Sequence, residues 1–177
     1  MFLDVEQRIK RKNRILFSHD SACLRELRQR MERQTHRVLV LWALDCAAVP
    51  LARFEGKYPD EPRPRMALEL CDAWARGEVK MPLARRAILD AHAVARMIDD
   101  REYGALCHAI GQAGATVHVG AHAPGLPFYE LTAIVLRCGM AGYEGEVLEK
   151  IGYYTDQLEF WRENAGKAER KWAGFIT

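Results

Sequence analysis

Apolar side chains recur along most of the chain at the spacing of helices that bury one face. In residues 36–54, for example, apolar side chains follow the i, i+3, i+4, i+7, i+8 pattern at Leu39, Trp42, Ala43, Cys46 and Ala47. The apolar run at 38–41 continues into helix-forming residues, so it does not indicate a strand. The pattern predicts an all-α fold, a single compact bundle of six to eight helices.

The individual helices follow from the same spacing and from capping and breaking residues. The first is expected over residues 1–16, and the second begins at a cap on Asp20 or Ser21 and runs towards Thr35. The third covers 36–54, where Pro50 kinks or ends it because proline lacks a backbone donor. The later helices are predicted at 65–76 (ending at Gly77), 81–98, 103–123, 128–137 and 145–163, with a short last one at 167–175.

The chain shows no linker that would divide it. Prolines at 59, 62 and 64 disfavour helix and make residues 58–65 a loop. We expect one domain over residues 1–177. Within it, residues 1–35 form a basic amphipathic N-terminal extension, 36–137 the core, and 138–177 the C-terminal helices.

The predicted helix over 103–123 is unusually rich in glycine and alanine. Glycine costs a helix about 1 kcal/mol per site relative to alanine, so we expect close helix–helix packing to compensate. A homodimer contact through this face, or through the N-terminal arm, stays open.

Composition narrows the class of protein without indicating any chemistry. The 177 residues include 26 basic and 24 acidic side chains, a formal net charge of +2, which argues against a general nucleic-acid binder. Five cysteines without a CxxC pair suggest reduced thiols. The N-terminus lacks a signal-peptide pattern, and no apolar run approaches the roughly 20 residues of a membrane span. We therefore expect a cytoplasmic protein without a cofactor.

His118 and His122 are the first candidates for chemistry. Two histidines four residues apart on one helix face can ligate a zinc ion, but the residue after His118 is Val119, where a zincin has its glutamate base. A third ligand would have to come from His92, His108, Asp90 or Asp72. A buried, hydrogen-bonded histidine pair is the competing interpretation.

A second candidate is a polar network of Asp45, Asp60, Arg63, Arg65, Asp72 and His92. Asp45 interrupts an apolar helix face, which suggests a partly buried carboxylate that needs a guanidinium partner. Arg63 and Arg65 flank Pro64 in a stiff loop and are expected to clamp Asp45. On that basis Asp45→Ala should destabilise the fold markedly. The same loop is alternatively a surface that docks a partner.

The remaining patterns argue against catalysis and only weakly for nucleic acid. Residues 1–16 contain five basic and two acidic side chains, and arginines at 25, 28, 30 and 33 extend this positive character. Such an arm suits a solvated face, an acidic protein partner or, as a third function, nucleic acid. No nucleophile elbow, P-loop or dinucleotide fingerprint occurs, so we do not expect an enzyme.

An ordered series of short blocks between about residues 36 and 130 resembles the immunity protein family of bacterial polymorphic toxin systems. The blocks are Trp42-Ala43-Leu44-Asp45-Cys46-Ala47, Tyr58-Pro59-Asp60, Arg63-Pro64-Arg65, Ala73-Trp74-Ala75-Arg76-Gly77, Ala91-His92-Ala93, Ala95-Arg96, Ala115-Thr116-Val117-His118-Val119 and His122. The resemblance implies a non-catalytic intracellular protein that neutralises a toxin by protein–protein contact. A helical metalloprotein or enzyme using His118 and His122 is the alternative.

An inhibitor of this kind would present aromatic, arginine and charged side chains to its partner. The partner-binding candidates are Tyr58, Arg63, Arg65, Glu144, Glu146, Glu149, Tyr153, Tyr154, Trp161 and Trp172, whereas Trp74 is expected in the core. A net charge of +2 gives no overall steering towards a basic nuclease. Either the partner is of another kind, or the acidic patch is local, with Glu144, Glu146, Glu149 and Asp156 as the best cluster.

Overall fold

The computed structural model describes residues 1–139 and 142–177, and every regular element in those ranges is helical. This confirms the all-α prediction. The α-helices are α1 (Leu3–Lys10), α2 (Arg25–Met31), α3 (His36–Cys46), α4 (Ala48–Lys57), α5 (Arg63–Ala75), α6 (Met81–Met97), α7 (Arg101–Ala115), α8 (Gly125–Cys138) and α9 (Tyr143–Asn164). Single 3-10 turns lie at Ala22–Leu24, Gly120–His122 and Ala165–Lys167.

Two helices, α3 and α7, lie at the centre of the bundle. α7 packs against α4, α5, α6 and α8, while α3 packs against α9. The side chain of Trp42 on α3 is fully buried, and its indole Nε1 donates a hydrogen bond to the backbone carbonyl of Tyr154 at 3.0 Å. This bond satisfies the one polar atom of the indole inside the core and fixes α9 against α3.

Proline explains why the predicted helix over 36–54 is divided into α3 and α4. Pro50 lies in the first turn of α4. A continuous helix would need a backbone N–H at this position, and proline has none, so the hydrogen bonds of α3 cannot continue through it. The second predicted helix ends early, because Thr35 caps α3 instead: its Oγ1 accepts from the N–H of Val38 at 3.4 Å.

Both ends of the chain differ from the sequence prediction. α1 stops at Lys10, and Lys12 has φ 56°, which turns the chain so that Leu16 and Phe17 enter the core. The predicted helix at 167–175 is wrong beyond Lys167: residues 168–173 have no regular structure, and a turn follows at 174–175. The N–H of Ala173 donates to the carbonyl of Ala75 at 2.8 Å. Trp74 is in the core as expected, and Phe175 of this segment packs on it.

Close packing around the glycines of α7 is confirmed. A Cβ on Gly104 would lie 3.3 Å from the backbone oxygen of Ala95, and one on Gly111 only 2.5 Å from the imidazole Cε1 of His92. At these two glycines the face is therefore covered by α6 of the same chain, so it is not free for the homodimer contact that the sequence left open. The helix ends at Ala115 and does not continue to residue 123. The β-branched residues that follow Ala115, namely Thr116, Val117 and Val119, disfavour its continuation.

Replacing Gly111 with alanine is expected to lower the free energy of unfolding by about 1–2 kcal/mol, because the overpacking outweighs the gain in helix propensity. The matched control is Gly152→Ala on α9, where a Cβ meets nothing within 4 Å. That variant should be neutral or up to about 1 kcal/mol more stable. Urea denaturation of both variants checks this, and a stabilised Gly111→Ala would contradict the packing argument.

Candidate binding cleft

The clamp expected between Asp45 and Arg63 or Arg65 is not formed. The predicted loop over 58–65 ends at Pro62, and both arginines lie in the first turn of α5, where Pro64 is tolerated. Asp45 is exposed at the end of α3 and accepts a hydrogen bond from the indole Nε1 of Trp161 on α9 at 3.0 Å. Arg63 instead pairs with Glu61, and Arg65 with Glu55. The prediction fails because Asp45 contacts α9 through Trp161, while each arginine has a carboxylate closer to it along the chain.

The other members of the predicted network also lie apart. Asp60 is exposed in the turn before α5. Asp72 pairs with Arg170 at 2.8 Å and with Arg76 at 3.3 Å, which fastens the C-terminal segment to α5. His92 contacts His108 through their Nδ1 atoms at 2.8 Å. The six residues therefore form separate local contacts and no single network.

His118 and His122 follow the end of α7 and do not share one helix face. The ring of His118 stacks on Trp74 with 5.9 Å between centroids, and His122 Nδ1 lies 3.2 Å from the side-chain oxygen of Gln112. Within residues 1–139 and 142–177, no three His, Cys, Asp or Glu side chains are grouped so that they could hold a metal ion.

With Asp45 exposed, the expected effect of Asp45→Ala changes. The substitution removes one hydrogen bond to Trp161 and strands no buried charge. We now expect the free energy of unfolding to fall by about 1 kcal/mol or less. Thermal and chemical unfolding of the variant test this. A loss several times larger would restore the view that the Asp45 carboxylate is essential to the fold.

A cleft of about 360 Å³ opens between α4, α7, α8 and α9. Four residues of α9 line it at positions 146, 149, 150 and 153, the i, i+3, i+4, i+7 stripe of one helix face. Its walls are apolar and its floor and rim are charged. The lining residues are Val49, Arg53, Leu106, Glu130, Ala133, Ile134, Arg137, Glu146, Glu149, Lys150 and Tyr153.

The floor of the cleft is a buried ion pair. The Glu130 carboxylate on α8 lies 2.8 Å from the Lys150 ammonium on α9, with only 6% and 11% of the two side chains exposed. The hydroxyl of Tyr154 donates to the second carboxylate oxygen. Burial raises the pKa of Glu130 above its ordinary value, and the nearby Lys150 charge opposes that shift.

Aromatic rings enclose the ammonium of Lys150. It lies 4.5 Å from the ring centroid of Tyr153 and 5.0 Å from that of Tyr154. Because a cation is attracted to the face of an aromatic ring, both rings help to compensate the buried charge. Burial raises the pKa of Tyr154 well above its ordinary value, so its hydroxyl stays protonated and donates to Glu130. In the floor of the cleft, the Glu130 carboxylate, the Lys150 ammonium and the Tyr154 hydroxyl therefore each have a partner.

The rim of the cleft carries two cations that form ion pairs and one exposed carboxylate that, among the described residues, forms none. Arg137 pairs with Glu146, and Arg53 pairs with Glu102. Hydrogen bonds from Cys138 and Arg137 lower the pKa of Glu146. Glu149 is exposed and has no ion-pair partner among the described residues. The exposed Val49, the half-buried Tyr153 ring and Glu149 are therefore the groups at the mouth of the cleft that lie outside these ion pairs.

The partner-binding candidates divide between this cleft and other places. Glu146, Glu149 and Tyr153 line it, and Glu144 lies on the first turn of α9. Tyr154 is wrong as an exposed anchor, because it is fully buried. Tyr58 stacks on Phe54 at the end of α4, away from the cleft. Of the others, Arg63 and Arg65 pair locally, Trp161 donates to Asp45, and Trp172 lies against Arg37 and Arg170.

Sequence reasoning missed the two residues of the floor, Glu130 and Lys150. The signal for Glu130 was present, since it interrupts an apolar helix face between Leu126 and Val135. The same argument had selected Asp45. No signal in the sequence alone pairs Lys150 with a residue of α8.

These features define the class of protein: an all-helical bundle with an open surface cleft built on a buried ion pair. The chain belongs to the family described as Imm-5 like putative immunity protein, whose model matches residues 29–157. Every residue that lines the cleft lies within that match. Neither the curated proteins nor the solved structures contain a match to the chain. Among the described residues, none of the helices is long and apolar enough to cross a bilayer.

Proposed function

We propose that this protein neutralises a bacterial toxin by binding it directly, inside the cell that produces both, and that the cleft is the contact surface. Family membership supports the immunity role. The proposal places the toxin against the mouth of the cleft, with Val49, Glu149 and Tyr153 as the residues it touches. It assigns the protein no turnover of its own.

The observation that carries the proposal is the fixed, bonded floor beneath an accessible mouth. A side chain that enters the cleft meets groups already held in place by the Glu130–Lys150 pair and by Tyr154. Pre-organised groups reduce the entropy lost on binding, which is how an inhibitor reaches high affinity with few contacts. The exposed Val49 and the ring of Tyr153 supply apolar and aromatic area, which binding hot spots need.

Co-expression with a candidate toxin, taken from the genes next to the one that encodes this protein, tests the proposal. We expect the unmodified chain to restore growth and Val49→Arg to lose that protection, because the substitution places a long cation at the mouth of the cleft. The matched control is Leu83→Arg on α6, which is also about half exposed (Val49 45%, Leu83 50%) and lies on another face.

Circular dichroism and thermal unfolding show whether both variants are folded. If the unmodified chain gives no protection, the immunity function is wrong for that toxin. If Val49→Arg still protects as well as Leu83→Arg does, the cleft is not the contact surface.

A further inference from the structure

Helix α9 has a charge opposite to that of the rest of the chain. It carries six acidic and two basic side chains, a net charge of −4, in a chain with a formal net charge of +2. A helix of 22 residues is about 33 Å long at 1.5 Å per residue, so the acidic face extends well beyond the cleft. The balanced charge of the sequence conceals this separation.

The two basic residues of α9 do little to neutralise its outer face. The side chain of Lys150 is buried and forms an ion pair with Glu130. Arg162 lies at the far end of the helix and pairs with Glu159 and Glu163. Three carboxylates along the helix have no ion-pair partner among the described residues, namely Glu144, Glu149 and Asp156. Asp45 of α3 adds an exposed acid beside the same helix, at Trp161.

The cations at the cleft do not oppose an incoming positive charge. Arg53 and Arg137 each have a carboxylate partner, so each pair is close to neutral at the distance of an approaching protein. Among the charged residues that line the cleft, Glu149 is then the one that no ion pair neutralises, so it can attract a cationic ligand. Next to it, the ring of Tyr153 offers a surface on which a cationic side chain can lie.

We infer that the partner surface that docks on α9 and the cleft is basic, and that it places a lysine or arginine beside Glu149 and Tyr153. This inference rests on the proposed function and specifies the partner's chemistry. The acidic helix would attract a basic toxin before contact, and the cleft would hold it afterwards. Complementary charge of this kind acts mainly on the association rate and is screened by salt.

The experiment measures association of this protein with an inactivated form of the candidate toxin used in the co-expression test. Between about 50 mM and 500 mM salt we expect the association rate constant to fall about tenfold or more. The triple variant E144Q/E149Q/D156N should lower the low-salt rate constant about fivefold or more and make it less dependent on salt. Glu149 and Asp156 are exposed, Glu144 is half-buried in the first turn of α9, and none of the three makes an ion pair among the described residues, so these changes should leave the fold intact.

The matched control is D20N/E69Q/D99N, which removes the same number of exposed carboxylates elsewhere on the chain. It changes the net charge equally, so a difference between the triples isolates the position of the charge. If the toxin binds but both triples associate alike, or salt has no effect, the inference is wrong while the immunity function stands. If the toxin does not bind at all, the proposed function fails and takes the inference with it.

A second copy of this chain is the competing occupant, since the residues outside α9 are net basic. Sedimentation of the protein alone at low salt distinguishes the two. A dimer that E144Q/E149Q/D156N abolishes and D20N/E69Q/D99N preserves would overturn the inference in favour of self-association. A monomer at concentrations where the toxin binds supports it.

Discussion

Replacing Lys150 with methionine is expected to lower the free energy of unfolding by about 3–5 kcal/mol at neutral pH, because the substitution leaves a buried carboxylate without its cation. Glu130 has only 6% of its side chain exposed, so water cannot take the place of the lost ammonium. Methionine has a similar length and fills most of the space, which makes the lost charge the main change. Urea denaturation at pH 7 measures the effect.

The pH dependence of this variant identifies the cause. A carboxyl group whose pKa is raised by folding holds its proton in the folded state, so the folded state loses stability as pH rises from about 4.3 through the raised value. Without Lys150 the pKa of Glu130 should rise further. The stability deficit of Lys150→Met should therefore be small near pH 4 and reach its full size above the new pKa. A deficit that is the same at all pH values would indicate lost packing instead.

Two further variants act as controls for Lys150→Met. Arg137→Met breaks an ion pair on the rim of the same cleft, where the side chains of Arg137 and Glu146 are 36% and 45% exposed, and should cost about 1 kcal/mol or less. The double variant Glu130→Gln/Lys150→Met removes both charges and keeps an acceptor for Tyr154. It should regain much of the lost stability, because breaking a buried pair is worse than removing it.

Asp45 and Glu130 show which part of this site can be predicted from the sequence and which part cannot. Both carboxylates interrupt an apolar helix face, and the reasoning that a buried carboxylate needs a cationic partner holds for one of them. Periodicity identifies the face of a helix but not how far the neighbouring helix covers it. Asp45 lies at the end of α3, where the cover stops, whereas Glu130 lies in the middle of α8 opposite α9.

The glycines of α7 show where sequence reasoning succeeds more fully. Their expected role, close approach of another helix, depends only on the missing side chain and is confirmed at Gly104 and Gly111. The partner they approach was not predictable, because spacing along one helix contains no information about the side chain that fills the space. At Gly111 that side chain is His92, which brings it to His108. A packing prediction thus leads to a titratable pair that the sequence did not reveal.

Whether His92 and His108 form a hydrogen bond depends on the protonation of their rings. Two Nδ1 atoms 2.8 Å apart form a hydrogen bond when one ring donates and the other accepts, whereas protonation of both rings places two donors face to face. Burial lowers the pKa of His92 to about 4, helped by the nearby charges of His108, Arg96 and His122. Burial and Arg96 also lower the pKa of His108, whose ring packs on Tyr129.

Acid is therefore expected to destabilise this protein over the interval in which the unfolded histidine is protonated and the folded one is not. For His92 that interval runs from about 6.5 down to about 4. The stability that the neutral His92 contributes to the folded state is fully present above pH 6.5 and is lost as pH falls towards 4. The loss is about 3 kcal/mol at most, because one pKa unit corresponds to about 1.4 kcal/mol. Unfolding free energies measured from pH 4.5 to 7.5, a range of about three units, should show this slope.

His92→Asn should flatten that slope whatever it does to stability at pH 7.5, because it removes the group whose proton affinity changes on folding. His19→Asn is the matched control, since His19 is exposed on the connection before α2, where its ring lies roughly perpendicular to that of Phe128. Its slope should equal that of the unmodified chain. Equal slopes in all three proteins would mean that acid acts elsewhere, and that the α6–α7 contact tolerates a second proton.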